Sequence, residues 1–293
     1  MAAPAVSEAA AVGVGVVGLG NMGGALAKRL IDWPGGLSVY DVDPAAATPL
    51  VDAGARAAGD LRDLASAASV ISVVVLTDAQ VREVVKELIE HAAPGTVIAV
   101  HSTIDVETAP ALAAAGEQRG VAVLDVALTG GPAGADSGQL VAMAGGDRIA
   151  YERAKPVFER WASLLLYFGA SGAGIRAKVV RNLLQFVGYA ATGEVARLAH
   201  AAGVDVLDLA AAIRHSDAVI GGPSVVMISP TQDPYADDDP LRPIFEHTRE
   251  LGEKDLQHAL DLGAALGVDL PFGRLGLASL AAALRVPREG AHD

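Results

Sequence analysis

Two patterns of apolar residues divide the chain. In the first half, short, mainly apolar runs alternate with segments whose apolar residues recur every three or four positions. The runs at 14–17, 37–40, 69–76 (SVISVVVL), 96–100 and 121–126 are rich in β-branched residues and carry no polar alternation. That is the signature of strands buried on both faces of a parallel sheet. Between them, Met22, Leu26, Ala27 and Leu30 fall at helical spacing, as do Val81, Val84, Val85 and Leu88. Helices are expected after the first strand to about residue 30 and over 44–53, 78–91 and 106–119. Further strands at 141–144 and 164–168 flank a helix at 151–162. Strands alternating with helices predict a parallel sheet covered on both faces. After about Gly169 the strand signal fades. The stretch GASGAG reads as a flexible junction, and 173–202 as one long helix with Val179, Leu183, Phe186, Val187 and Ala190 on its apolar stripe. Gly203 ends it, and helices at 206–215, 245–266 and 275–284 follow. Residues 230–243, with Asp237 to Asp239, form a solvated polar loop. The pattern thus predicts an α/β domain over 1–169 and an all-helical domain over 170–293, entered by a long interdomain helix.

Composition narrows the function. With 52% hydrophobic residues in 293, the chain has ample material for a core, and its net charge of −13 disfavours nucleic acid and anionic membrane as partners. There is no cysteine, so disulfides, thiolate metal sites and a thiol nucleophile are excluded. The histidines (91, 101, 200, 215, 247, 258 and 292) form no HxxxH pair, and no metal site is expected. The N-terminal MAAPAVSEAAAV lacks a basic region and contains Glu8, which reads as an extension rather than a signal peptide. No apolar stretch is long enough to span a bilayer, so a soluble, cytoplasmic protein is expected.

The sharpest local signal is VGVVGLGNMGGALAKRL, where Gly18, Gly20 and Gly23 lie between a strand and a helix. In a chain with 33 glycines the triplet alone says little. The flanking elements make it the phosphate turn of a Rossmann-type dinucleotide-binding domain. The first glycine turns the chain, the second admits a pyrophosphate and the third lets the helix pack closely. Leu19, Asn21 and Met22 complete the cofactor loop, whose free N–H groups and helix dipole suit phosphate. An acidic residue is expected about 20 positions on, and Asp41 closes the second strand. Its carboxylate suits the ribose hydroxyls and repels a 2′-phosphate, favouring NAD over NADP. Asp43, before Pro44, starts the following turn.

Four further segments bear on the chemistry. Thr129-Gly130-Gly131 offers consecutive N–H groups and a hydroxyl to a carboxylate or phosphate, unless the loop merely turns the chain. Lys178 and Asn182 share a face of the long helix. Its first turns are expected to line a cleft, where burial would bring the lysine pKa toward neutrality and fit it for proton exchange with an alcohol or carbonyl. In His101-Ser102-Thr103-Ile104, Ser102 and Thr103 either contact substrate and cofactor or cap the next helix; His101 is either an acid/base or structural. Lys254 either meets an anion or pairs on the surface with Asp255.

Taken in order, these segments resemble the β-hydroxyacid dehydrogenase family, which includes 3-hydroxyisobutyrate dehydrogenase and, more distantly, 6-phosphogluconate dehydrogenase and imine reductases. The likeness covers nearly the whole chain. It rests on GLGNMG, His101 to Ile104, Thr129 to Ala135, the segment Gly172 to Asn182 (GAGIRAKVVRN) and Lys254-Asp255-Leu256. The resemblance implies hydride transfer between NAD(P) and the hydroxyl-bearing carbon of a small 3-hydroxy acid. It also implies Lys178 as general acid/base, with Asn182 positioning the substrate. Ser102, Thr129, Gly130, Gly131 and Lys254 would contact substrate. Leu76, Thr103 and Lys254 would join the glycine loop and Asp41 around the cofactor. A homodimer or homotetramer is implied as well. Imine reductases of this kind commonly lack the lysine, so Lys178 favours alcohol and carbonyl chemistry; a cofactor-binding scaffold would not need it. Three positions depart from the family pattern: Thr129 for serine, His101 for serine and Arg181 for the first asparagine of a pair. Arg181 suggests a substrate with an additional acidic group.

Overall fold

The computed structural model describes residues 12–287; most of the N-terminal extension, and His292, lie outside them. Two compact units divide the chain, Met1–Leu183 and Leu184–Asp293.

The first unit begins with β1 (Val14–Val17), α1 (Asn21–Lys28) and β2 (Leu37–Tyr40). A 3₁₀ turn (Pro44–Ala47) leads to α2 (Thr48–Asp52), β3 (Arg56–Ala57), α3 (Leu61–Ala67), β4 (Val70–Val73) and α4 (Asp78–His91). Then come β5 (Val97–Val100), α5 (Thr108–Glu117), β6 (Ala122–Thr129), α6 (Gly131–Ser137), β7 (Leu140–Gly145), α7 (Arg148–Phe158) and β8 (Ala162–Gly169). They form one sheet in the order β3-β2-β1-β4-β5-β6-β7-β8. Every residue of β1, β4 and β5 is buried, as their mainly apolar, β-branched runs predict. One core cluster joins Val16, Val39, Ala99 and Val126 to Leu26, Leu30, Phe158 and Trp161. A second joins Ile71, Val73, Ile98 and Ala127 to Leu64, Val85, Leu88 and Ile175.

The sheet departs from the all-parallel expectation at one place, where β6 and β7 are antiparallel. Residues 130–139 are too few for a parallel crossover, which takes about a dozen. The antiparallel partner also lengthens β6 beyond the expected residue 126, since Leu128 pairs with Ala142 and Thr129 with Val141. The apolar run at 69–76 stops early, at Val73. There the chain turns into a capping box, with Thr77 and Gln80 exchanging side-chain and backbone bonds at the start of α4.

The remaining helices are α8 (Ala173–Ala201), which runs from the first unit into the second, α9 (Val206–Ile220), α10 (Arg242–Leu266) and α11 (Pro271–Ala283). The second unit is helical, as expected. Its α9 runs past His215 to Gly221, the first residue able to end it in a left-handed conformation. The buried Glu194 carboxylate accepts from Phe272 N and Gly273 N and so caps α11. Among the described residues no helix is long and apolar enough to cross a membrane.

Candidate active site

In the sheet order, β1 is flanked by β2 on one side and β4 on the other, so the chain reverses its winding direction there. Ligands of such sheets lie beyond the carboxyl ends of the strands at that switch. The glycine loop follows β1 at this point. Gly20 is the N-cap of α1 and no side chain caps the helix. A Cβ built on Gly20 would meet nothing within 4 Å, so the N–H groups of the first turn face open space. Gly23 is the opposite case, because a Cβ there would stand 1.8 Å from Gly18 O. The loop and helix are therefore held together by the absence of a side chain. Asp41, at the end of β2, accepts from Leu19 N (2.6 Å) and from Asp43 N (2.9 Å). Its carboxylate has lone pairs left for the two hydroxyls of a ribose. Asp43 accepts from Ala45 N at 3.0 Å and starts the turn. An uncapped helix start, an open cradle and a prearranged carboxylate fit a dinucleotide.

The end of β6 holds the titratable groups. Ala122 N donates to Thr96 O at 2.9 Å, so the even-numbered residues of β6 turn their backbone groups toward β5. But β5 stops at Val100, opposite Asp125. The carbonyls of Val126 and Leu128 thus lie past the end of their ladder partner. Side chains replace it. His101 Nδ1 meets Val126 O at 2.8 Å, and Lys178 Nζ donates to Leu128 O at 2.5 Å. A carbonyl only accepts, so Nδ1 carries the His101 proton and Nε2 accepts from Ser72 Oγ at 3.0 Å. Burial pushes the His101 pKa down to about 4. With Phe158 and Trp161 edge-on to its ring, His101 is a structural residue rather than an acid/base.

Lys178 is half-buried. Burial lowers its pKa first, and the nearby Arg181 charge lowers it further. The Leu128 carbonyl that it holds immediately precedes Thr129-Gly130-Gly131, so the amine stands beside that turn. Gly130 and Gly131 are both exposed, and Gly131 opens α6. Asn182 lies one turn beyond Lys178, and Arg181 Nη1 donates to its Oδ1 at 3.3 Å.

The other sequence candidates are spread more widely. The Ser102 hydroxyl donates to Val75 O (2.6 Å) and accepts from Val75 N (3.1 Å), which fastens the loop after β5 to the loop after β4. Thr103 and Leu76 are exposed on those two loops, and Leu76 N is held by Gln80 Oε1. Lys254 belongs to the other unit, on an exposed part of α10, with Nζ 3.3 Å from Asp255 Oδ1. Its assisting role rests on the family resemblance alone. The sequence reading overlooked Asp125. This carboxylate is 1% exposed within an otherwise apolar strand. It accepts from Gly172 N (2.7 Å) and Ile175 N (2.9 Å) at the start of α8. An acid in the run VLDVALT was the available signal.

Comparison with known proteins identifies the family. A model described as the NAD binding domain of 6-phosphogluconate dehydrogenase matches residues 13–169. Another, described as the NAD-binding of NADP-dependent 3-hydroxyisobutyrate dehydrogenase, matches residues 172–293. The chain belongs to the β-hydroxyacid dehydrogenase family. Among relatives in that family, an uncharacterized oxidoreductase of Mycobacterium tuberculosis is 49% identical over 277 residues, 94% of each chain. The NAD-dependent L-serine dehydrogenase of Pseudomonas aeruginosa is 33% identical over 277 residues, 90% of this chain and 89% of that protein. A solved structure from Mycobacterium avium superposes with a TM-score of 0.90 at 49% identity, covering 94% of this chain and 99% of that one. Membership in the β-hydroxyacid dehydrogenases makes the chain an oxidoreductase with an NAD(P)-binding domain.

Proposed function

We propose that the protein is an NAD-preferring 3-hydroxyacid dehydrogenase. It oxidises the hydroxyl-bearing carbon of a small carboxylate-bearing substrate, or reduces the corresponding semialdehyde, with Lys178 as general acid/base. The observation that carries this reading is the Lys178 amine on the Leu128 carbonyl, half-buried and next to the two-glycine turn.

When bound, the dinucleotide accepts or returns a hydride. Gly18 to Gly23 hold its pyrophosphate through the open N–H groups of α1, and Asp41 takes the ribose hydroxyls. The Asp41 charge disfavours NADP. Leu76 and Thr103 contact the cofactor from neighbouring loops. The proton is this chain's task. Burial and the Arg181 charge lower the lysine pKa and so favour the neutral amine, the form that accepts the hydroxyl proton as the alcohol is oxidised and returns it in the reverse direction. Asn182 orients that hydroxyl. Thr129, Gly130 and Gly131 hold the carboxylate. Ser102 has spent its donor and one lone pair on Val75, which leaves it an acceptor for a substrate hydroxyl. The retained lysine weighs against imine reduction and against a scaffold without turnover. Homodimers or homotetramers fit the exposed apolar residues of the second unit.

The test is NADH formation with a panel of small 3-hydroxy acids. Lys178→Ala should lose turnover by about 100-fold or more while NAD binding persists. Equal turnover in that variant would remove the mechanism.

A further inference from the structure

Asp125 takes no part in the proton transfer described above, yet it is the most deeply buried carboxylate near it. An ionised carboxylate out of water is costly unless its hydrogen bonds are made. Burial raises the Asp125 pKa, and the N–H groups of Gly172 and Ile175 act against that rise. An apolar residue would suit this core position better on burial alone. What an apolar residue cannot supply is direction. The two carboxylate oxygens receive the N–H of Gly172, the residue before α8, and that of Ile175 in its first turn, at the positive end of the helix dipole.

The cap does not come from the helix's own leading residues, as most caps do. It comes from β6, 47 and 50 residues earlier in the chain than its two donors. The same strand offers the Leu128 carbonyl to Lys178. The helix start and the lysine are therefore both referred to β6. Asp125 fixes the helix at 172 and 175, and Leu128 receives the amine one turn later. Ile175, fully buried in the core cluster with Val123, Ala127 and Met143, presses the same turn onto the sheet. A Cβ on Gly174 would stand 2.7 Å from Asp125 O and 2.4 Å from Met143 O, so helix and strand approach to backbone contact here.

We propose that Asp125 is a positioning residue for the reaction: by clamping the first turn of α8 to β6 it sets where the Lys178 amine stands against the Leu128 carbonyl. The inference rests on Lys178 being the acid/base.

Asp125→Asn keeps the size of the side chain but turns one acceptor into a donor that faces an N–H group. It is compared with the unaltered protein and with Lys178→Ala, following kcat against pH in the alcohol-oxidising direction. The positioning role predicts a fall in kcat of about 10- to 100-fold, the loss that a misplacement of about 1 Å can cause. KM for NAD should stay within about twofold. The rising limb of the profile should move to higher pH, because a lysine released from its buried seat regains an ordinary pKa; Arg181 is unchanged in the variant. A kcat and limb like those of the unaltered protein overturn the proposal. So does a lower kcat with an unmoved limb, which would mean structural damage only. Should Asp125→Asn not fold, the smaller Asp125→Ser, which fits without a clash and keeps a single acceptor, must move the limb in the same direction. Turnover surviving in Lys178→Ala defeats the catalytic reading itself. Turnover lost there, with Asp125→Asn unaffected, defeats only the positioning role.

Discussion

His101 is neutral in the folded protein down to about pH 4, because burial withholds water from the imidazolium. In the unfolded chain the same ring takes up a proton near pH 6.5. Between these values the unfolded state binds the extra proton, so stability falls as pH falls through the window and is unaffected above it. The full loss is about 3 kcal/mol, at 1.36 kcal/mol per pH unit. His101→Gln should melt lower than the unaltered protein at pH 7, having lost the fit to Ser72 and Val126. It should then lose less of its melting temperature between pH 7 and pH 4.5. Parallel declines in thermal melts would show that His101 is not the group responsible. Arg181 acts on Lys178 at the same scale. Its charge lowers the lysine pKa, and its guanidinium lies on the Asn182 carboxamide. Arg181→Ala should slow every substrate through Lys178 and Asn182, and for 3-hydroxy acids with a second carboxylate it should reduce kcat/KM by about tenfold more than for monocarboxylates, the worth of one charge-assisted hydrogen bond. An unaltered ranking across such a panel would dismiss the second acidic group.

Among the elements, β6 decides most. Its core half was legible as an apolar run, because a strand buried on both faces has little choice of residue. Its outer half was not. Leu128 and Thr129 look like the beginning of a glycine loop until β7 pairs with them, and that pairing is set by a short connection rather than by their own identities. The site divides in the same way. The glycine loop, Asp41 and Lys178 could be singled out as candidates because each belongs to a local pattern of fixed spacing. Asp125 could not, since its donors lie about 50 positions away and only the folded sheet brings them together. The short α3 and α6 were missed for a related reason. At seven residues each they show too few turns for helical periodicity to emerge.

At the scale of the whole molecule, the two units bury their apolar residues very differently. The first unit has two extensive clusters. In the second, α9 has no buried residue, and Leu207, Val219 and Ile220 are 78%, 74% and 58% exposed. We infer an interaction face from these exposed apolar residues, and most oligomers are symmetric copies of one chain. Light scattering should therefore return two or four times the 29.7 kDa chain mass. Leu207→Asp with Val219→Glu should shift the population toward smaller species. A monomer at micromolar concentration would count against assembly.

The imidazole of His101 joins Ser72 of β4 to Val126 of β6 across the tip of β5. One side chain thereby bridges β4 and β6 just past the end of β5, close to loops that we propose for both the nucleotide and the acid. Slackening it would disturb both partners at once. A substitution at His101 is thus expected to weaken handling of the nucleotide and of the acid together, whereas one at Thr129 or Arg181 should alter the acid alone.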